Sequence, residues 1–189
     1  MYKTTMLLAV TFFLSAFCFS QIPSKVDYDA FEKLVKEVKD HRAERLVSIE
    51  KFNEMSKMDN VVILDTRSKS MYEAKHVKGA IHLNFSDFTQ ENLETLFPSK
   101  DVTILIYCNN NFYEDKIYFP TKSFIPPVKE KASAPPVETK NGLGITMALN
   151  IPTYINLYGY GYKNVYELSE LISIFDLRIE LEGTAVSSL

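Results

Sequence analysis

Two short stretches of the chain, residues 61–64 (Val-Val-Ile-Leu) and 102–107 (Val-Thr-Ile-Leu-Ile-Tyr), are apolar almost without interruption. A strand with one wet face alternates apolar and polar side chains, so such runs belong to strands covered on both faces. Between and around them the period changes. Phe31, Leu34, Val35 and Val38 fall at i, i+3, i+4 and i+7, the stripe of an amphipathic helix over 27–41. Ser48 is placed to cap a helix reaching about Met58, with Ile49, Phe52 and Met55 inward. The pattern continues with a short strand at 46–47, a short helix at 70–75, a turn at Gly79, a strand at 80–83 and a helix capped by Thr89. A helix from Pro152 to Tyr158 and a strand at 164–168 follow. This alternation predicts an α/β domain whose central parallel sheet is flanked by helices on both faces. Ligands of such sheets bind beyond the carboxyl ends of the strands, where Cys108 and the turn Asp65-Thr66-Arg67 both fall.

Composition narrows the function. The chain is 46% hydrophobic and 24% charged, the balance of an ordinary globular domain. Its 21 basic and 24 acidic residues leave a net charge of -3 with no Lys/Arg block, so nucleic acid is not an expected partner. Two cysteines make no disulfide framework, and no cysteine or histidine pair has zinc-site spacing, so neither a metal nor a cofactor is expected. At the start of the chain, Lys3, an apolar run over 6–19 and the polar shift at Gln21 have the layout of a secretory signal cleaved near Ser20. The alternative is an uncleaved anchor, for which the run falls short of the about 20 residues a spanning helix needs. Export to a periplasmic or extracellular space is therefore expected. The rest divides into an N-terminal helical extension (21–44), a main domain (45–175) and a C-terminal tail (176–189).

Cleavage would leave Cys108 alone, and a lone thiol in an oxidising compartment is either buried and inert or present for its reactivity. Directly after it, residues 113–140 hold five of the eight prolines and no period, which predicts a long insertion. It reads as a cover over the thiol or as an arm for a protein partner, anchored at most by Ile117, Tyr118, Phe119, Phe124 and Ile125 as a small apolar patch.

The run V-V-I-L-D-T-R-S-K-S-M-Y-E-A-K-H-V-K-G-A-I-H-L resembles the rhodanese-like pattern of strand, Asp-x-Arg, helix with Glu, and His-x-x-Gly-Ala. T-I-L-I-Y-C resembles that family's strand ending on its active-site cysteine, and G-Y-K-N-V-Y-E-L its closing strand. The matches are collinear over roughly residues 45–172. The resemblance implies a rhodanese-like fold and, for active members, a sulfurtransferase whose cysteine carries a persulfide. Cys108 is then the nucleophile, held as thiolate by loop amides. The resemblance makes Asp65, Arg67, Glu73, His76 and Gly79 packing and turn residues near the site. Asp65 and Arg67 as acid and base, or His76 or His82 as general base, are the alternatives, and a base must lie within hydrogen-bond reach of Cys108. His41 reads as solvated, and the tyrosines at 154, 158, 160, 162 and 166 as packing.

The loop departs from the family. Where members carry basic residues and a glycine, this chain has Asn109, Asn110, Asn111, Phe112 and Tyr113, followed by Glu114 and Asp115. These five form the expected substrate-binding loop. Its asparagines could donate amides to a bound group or simply turn the chain. Local charge opposes thiosulfate, and the missing arginine excludes a cysteine-dependent phosphatase, which needs a guanidinium on the phosphoryl oxygens. The expected function is sulfur transfer or persulfide carriage through Cys108; the alternative is a catalytically weak or inactive binding module. The expected partners are a small sulfur donor or thiol acceptor, with the protein itself a monomer.

Overall fold

The computed structural model describes residues 22–124 and 145–186. The expected signal at 1–20 and the part of the insertion beyond Phe124 lie outside the described residues. In chain order the elements are α1 (Tyr28–Ala43), β1 (Leu46–Val47), α2 (Ile49–Met55), β2 (Val61–Asp65), α3 (Lys69–Ala74) and β3 (His76–Val77). Next come β4 (Ile81–His82), α4 (Gln90–Leu96), β5 (Thr103–Ile106), β6 (Phe112–Tyr113), β7 (Ser123–Phe124) and β8 (Ile145–Thr146). The chain closes with α5 (Asn150–Gly159), β9 (Val165–Leu168), β10 (Ile172–Ser173) and β11 (Leu181–Glu182).

Helix starts follow capping chemistry. The side chains of Asp27, Ser48 and Thr89 accept from the backbone N–H groups of Ala30, Lys51 and Asn92, satisfying donors that the first turns of α1, α2 and α4 leave free. The central sheet runs β1-β9-β5-β2-β4, and every neighbouring pair is parallel. Alternation along the strands sorts the core into two layers. Ile63 and Leu105 point with Leu168 to one face, where α2 delivers Ile49, Phe52 and Met55. Leu64, Ile104, Ile106 and Val165 point to the other, against Val38 of α1, Leu93 of α4 and Tyr154, Ile155 and Leu157 of α5. This is the expected α/β fold, its parallel sheet covered on both sides. Because all five strands run the same way, their carboxyl ends form one edge, and the loops after β5 and β9 and the start of α5 meet there.

Three parts of the sequence reading change. The insertion does not begin as a loose excursion. Asp115 pairs with Lys75 at 2.7 Å and its carboxylate accepts from the backbone N–H groups of Ile117 and Tyr118. Phe119, 1% exposed, enters the core against Phe112. Residues 115–119 are therefore part of the fold, and a linker replacing them would remove core. The stretch assigned to the tail is also built in as far as residue 186: β11 pairs antiparallel with β3, and Ile179 is buried. His41 is half-buried rather than solvated, its Nδ1 lying 2.9 Å from the Tyr154 hydroxyl, which donates to the Val165 carbonyl.

Candidate functional site

Cys108 follows β5 by two residues, so strand alternation sets it on the same face as Ile104 and Ile106, toward α1 and α5. The chain then makes one turn of 3-10 helix, Asn109–Asn111, and Cys108 caps it: the Asn110 N–H donates to Sγ at 3.3 Å. The capping turn brings the Asn111 N–H to the sulfur as well, and the backbone amide of Asn150, at the start of α5, favours the thiolate. Yet the thiol is only 1% exposed. Burial pushes its pKa above the usual thiol value, outweighing the amides of Asn110 and Asn150, and the nearby Glu167 carboxylate adds to the rise. The resting group is thus a neutral thiol at pH 7, not the thiolate expected from the amides alone, because removing water costs the anion more than those donors return.

The loop residues separate by role. Asn111 is structural: its Oδ1 accepts from the Cys108 N–H at 2.9 Å, and its Nδ2 donates to the carbonyls of Leu168 and Glu170 at 2.7 and 3.1 Å. Asn110 ties the loop to Lys122, accepting from its N–H at 2.8 Å and donating to its carbonyl at 3.0 Å. Neither side chain is left to donate to a ligand, because both replace missing backbone partners in a turn without ladder bonds. Phe112, expected in the substrate loop, is instead fully buried beside Tyr107 and Phe119. Asn109 is buried with its Oδ1 unpartnered among the described residues. Tyr113 remains half out, on the edge of a cleft of about 550 Å3. That cleft is also lined by Arg42, Asn110, Asn111, Asn150, Glu167 and Glu170, of which Asn110 and Asn111 hydrogen bond Cys108.

Asp65 and Arg67 form a buried knot, 0% and 1% exposed, away from any acid–base role toward the thiol. Arg67 Nε and Nη2 donate to the carboxylate at 3.0 and 2.7 Å, and its remaining N–H groups bind the carbonyls of Tyr118 and Lys75 at 2.9 and 2.6 Å. The Tyr107 hydroxyl, which burial and Asp65 keep protonated, donates to Asp65 Oδ2 and accepts from the Val77 N–H. His76 Nδ1 meets the Tyr72 carbonyl at 2.6 Å and His82 Nε2 the Arg67 carbonyl at 2.8 Å, and both rings stack on Tyr72. Neither hydrogen bonds Cys108. Gly79, at φ +78°, makes the turn from β3 into β4, a backbone state open to glycine. Glu73 differs from its expected packing role: its side chain is exposed and reaches only Lys69, at 3.6 Å.

Residues 48–114 match the family model described as Rhodanese-like domain. The rhodanese-like pattern is thus recognisable over that stretch. Among solved structures it is similar to the BH2092 protein from Bacillus halodurans, at 17% identity and a TM-score of 0.43, over 79% of this chain and 87% of that one. It is also similar to a rhodanese with anions from E. coli, at 18% identity and a TM-score of 0.36, over 65% of this chain and 98% of that one. No curated protein matches the sequence.

At the cleft, sequence reasoning missed two residues, both outside the stretch that matches the family model. Arg42 and Glu167, separated by 125 positions, form a two-pronged ion pair at 2.6 and 2.5 Å. A signal existed for one of them: Glu167 is the one charge inside the closing strand Val165–Leu168, where a carboxylate needs a partner. Arg42, in the last turn of α1, gave none, since a basic residue there ordinarily serves the helix dipole.

Proposed function

We propose that this rhodanese-like domain carries sulfane sulfur on Cys108 and passes it to a small thiol. The observation that supports the reading is the convergence of the Asn110, Asn150 and Asn111 amides on Sγ at the carboxyl edge of the sheet. In the loading step the Cys108 thiolate attacks the outer sulfur of an organic persulfide R–S–SH. The new Cys108 S–S bond forms as the donor's own S–S bond breaks, and R–S⁻ leaves with the electron pair. Unloading is the reverse displacement by an acceptor thiolate R′–S⁻, which leaves as R′–S–SH and restores the Cys108 thiolate. The added sulfur lies about 2 Å beyond Sγ, so the negative charge of the persulfide is shared over two sulfur atoms. Export belongs to the same proposal and rests on the sequence of residues 1–20 alone.

Burial of the thiol favours a second reading, a binding module in which Cys108 is inert packing. Donor preference tests the first. Among the described residues the cleft offers Glu167 and Glu170 against a single cation, Arg42, already committed to Glu167. A thiosulfate dianion meets net negative charge there, and a small organic persulfide, at most singly charged, is repelled less. Sulfur transfer to a thiol acceptor is expected to run roughly tenfold or more faster from a small organic persulfide than from thiosulfate. Replacing Cys108 by serine should abolish both. Equal or better turnover with thiosulfate contradicts the donor assignment, and transfer that survives Cys108→Ser contradicts the nucleophile.

A further inference from the structure

Glu167 is 2% exposed and lies on the face of the sheet that also carries Cys108, with Ile106 of β5 as its register partner. The sulfur-transfer steps leave it without a role. Its oxygens are committed: Arg42 donates to both, and Nδ2 of Asn150 donates to Oε1. Asn150 is the first residue of α5, and its own backbone amide is directed at Sγ. One connected chain of groups therefore runs from α1 through β9 and the start of α5 to the thiol. Arg42, Glu167 and Asn150 all border the cleft, and all three lie outside the stretch that matches the family model.

From this arrangement we infer that Glu167 is a positioning residue for Cys108, holding Asn150 at the sulfur and governing the thiol's reactivity by its charge, with Arg42 as the balancing cation. A carboxylate beside a thiol opposes formation of a second negative charge, and a two-pronged guanidinium cancels much of that field. The balance is thus adjustable from either side. Removing the carboxylate's charge should make Cys108 more reactive at neutral pH, and removing the guanidinium should make it less so. The other titratable groups packed around the pair are Arg45 before β1, Tyr154 on α5 with His41 on α1, Tyr166 on β9 and Glu170 after β9. None of them changes between the variants compared below.

The test is the rate of Cys108 alkylation by iodoacetamide across about pH 6 to 10 in the full chain, for wild type, Glu167→Gln and Arg42→Gln. Glutamine keeps the shape and one acceptor of Glu167, so fold should be retained, as circular dichroism will register. In Glu167→Gln the midpoint is expected to fall by about one pH unit, giving about tenfold faster labelling at pH 7. In Arg42→Gln the midpoint should rise and labelling slow, and Arg42→Lys should return it toward wild type. A purely structural pair would loosen the site in both variants and speed both. That result, or three coincident profiles, overturns the inference. Should Glu167→Gln not fold, the direction in Arg42→Gln and its reversal by lysine decide alone. The inference rests on Cys108 as the reacting group, but alkylation needs no sulfur donor. Failure of sulfur transfer in wild type and failure of this charge control are therefore separate outcomes.

Discussion

Arg67→Ala is expected to cost the domain about 3–5 kcal/mol, enough to leave it largely unfolded if its stability is ordinary. The guanidinium is 1% exposed and its loss strands the Asp65 carboxylate, itself 0% exposed, without its counter-charge. It also leaves two part-buried carbonyls, those of Lys75 and Tyr118, without their donors. The same side chain lies 4.4 Å from the centre of the Phe119 ring, so the knot joins α3, the end of β2 and the segment after the cysteine loop. Urea denaturation of wild type and variant reads the cost. A loss under about 1 kcal/mol would mean that Asp65 finds water or a proton in the variant, and that the knot is not a main support of the fold.

Phe119→Ala should be of similar size, about 3–5 kcal/mol, the range for removing a fully buried aromatic side chain and leaving its cavity. The ring packs on Phe112, with centroids 4.5 Å apart, and helps cover Arg67. Because Phe119 and Arg67 touch, the double variant should lose less than the two single losses added together. The sequence reading treated Phe119 as a rim contact of a dispensable insertion, so this result separates the two views directly. A cost within about 0.5 kcal/mol, the size usual for surface changes, would restore the earlier one.

The contrast between Phe119 and Phe52 explains what was legible. Phe52 sits at helical spacing with Ile49 and Met55, and that period alone assigns its inward direction. Phe119 stands among prolines and lysines with no period, so only the tertiary partners that receive it mark it as core. The strands ending at Asp65 and near Cys108 were legible because both faces are covered, and unbroken apolar runs have few other uses. The ends of elements and their order followed from Ser48, Thr89 and the alternation of periods. At the site the limits were different. The position of Cys108 could be read, but its protonation could not, because burial depends on α1 and α5 closing over a sheet edge. The Asn-rich loop offered donors by composition, and the backbone consumed them. The Arg42–Glu167 pair joins a helix outside the recognisable stretch to the last central strand, a distance in sequence that no local pattern spans.

Uptake of one sulfane sulfur by Cys108 can be read directly by intact-mass spectrometry. Wild-type protein and Cys108→Ser are incubated with a small organic persulfide, freed of reagent and weighed. Wild type should gain the mass of one sulfur atom, an added small thiol should remove it, and Cys108→Ser should gain none. No gain in wild type, or an equal gain in Cys108→Ser, contradicts it.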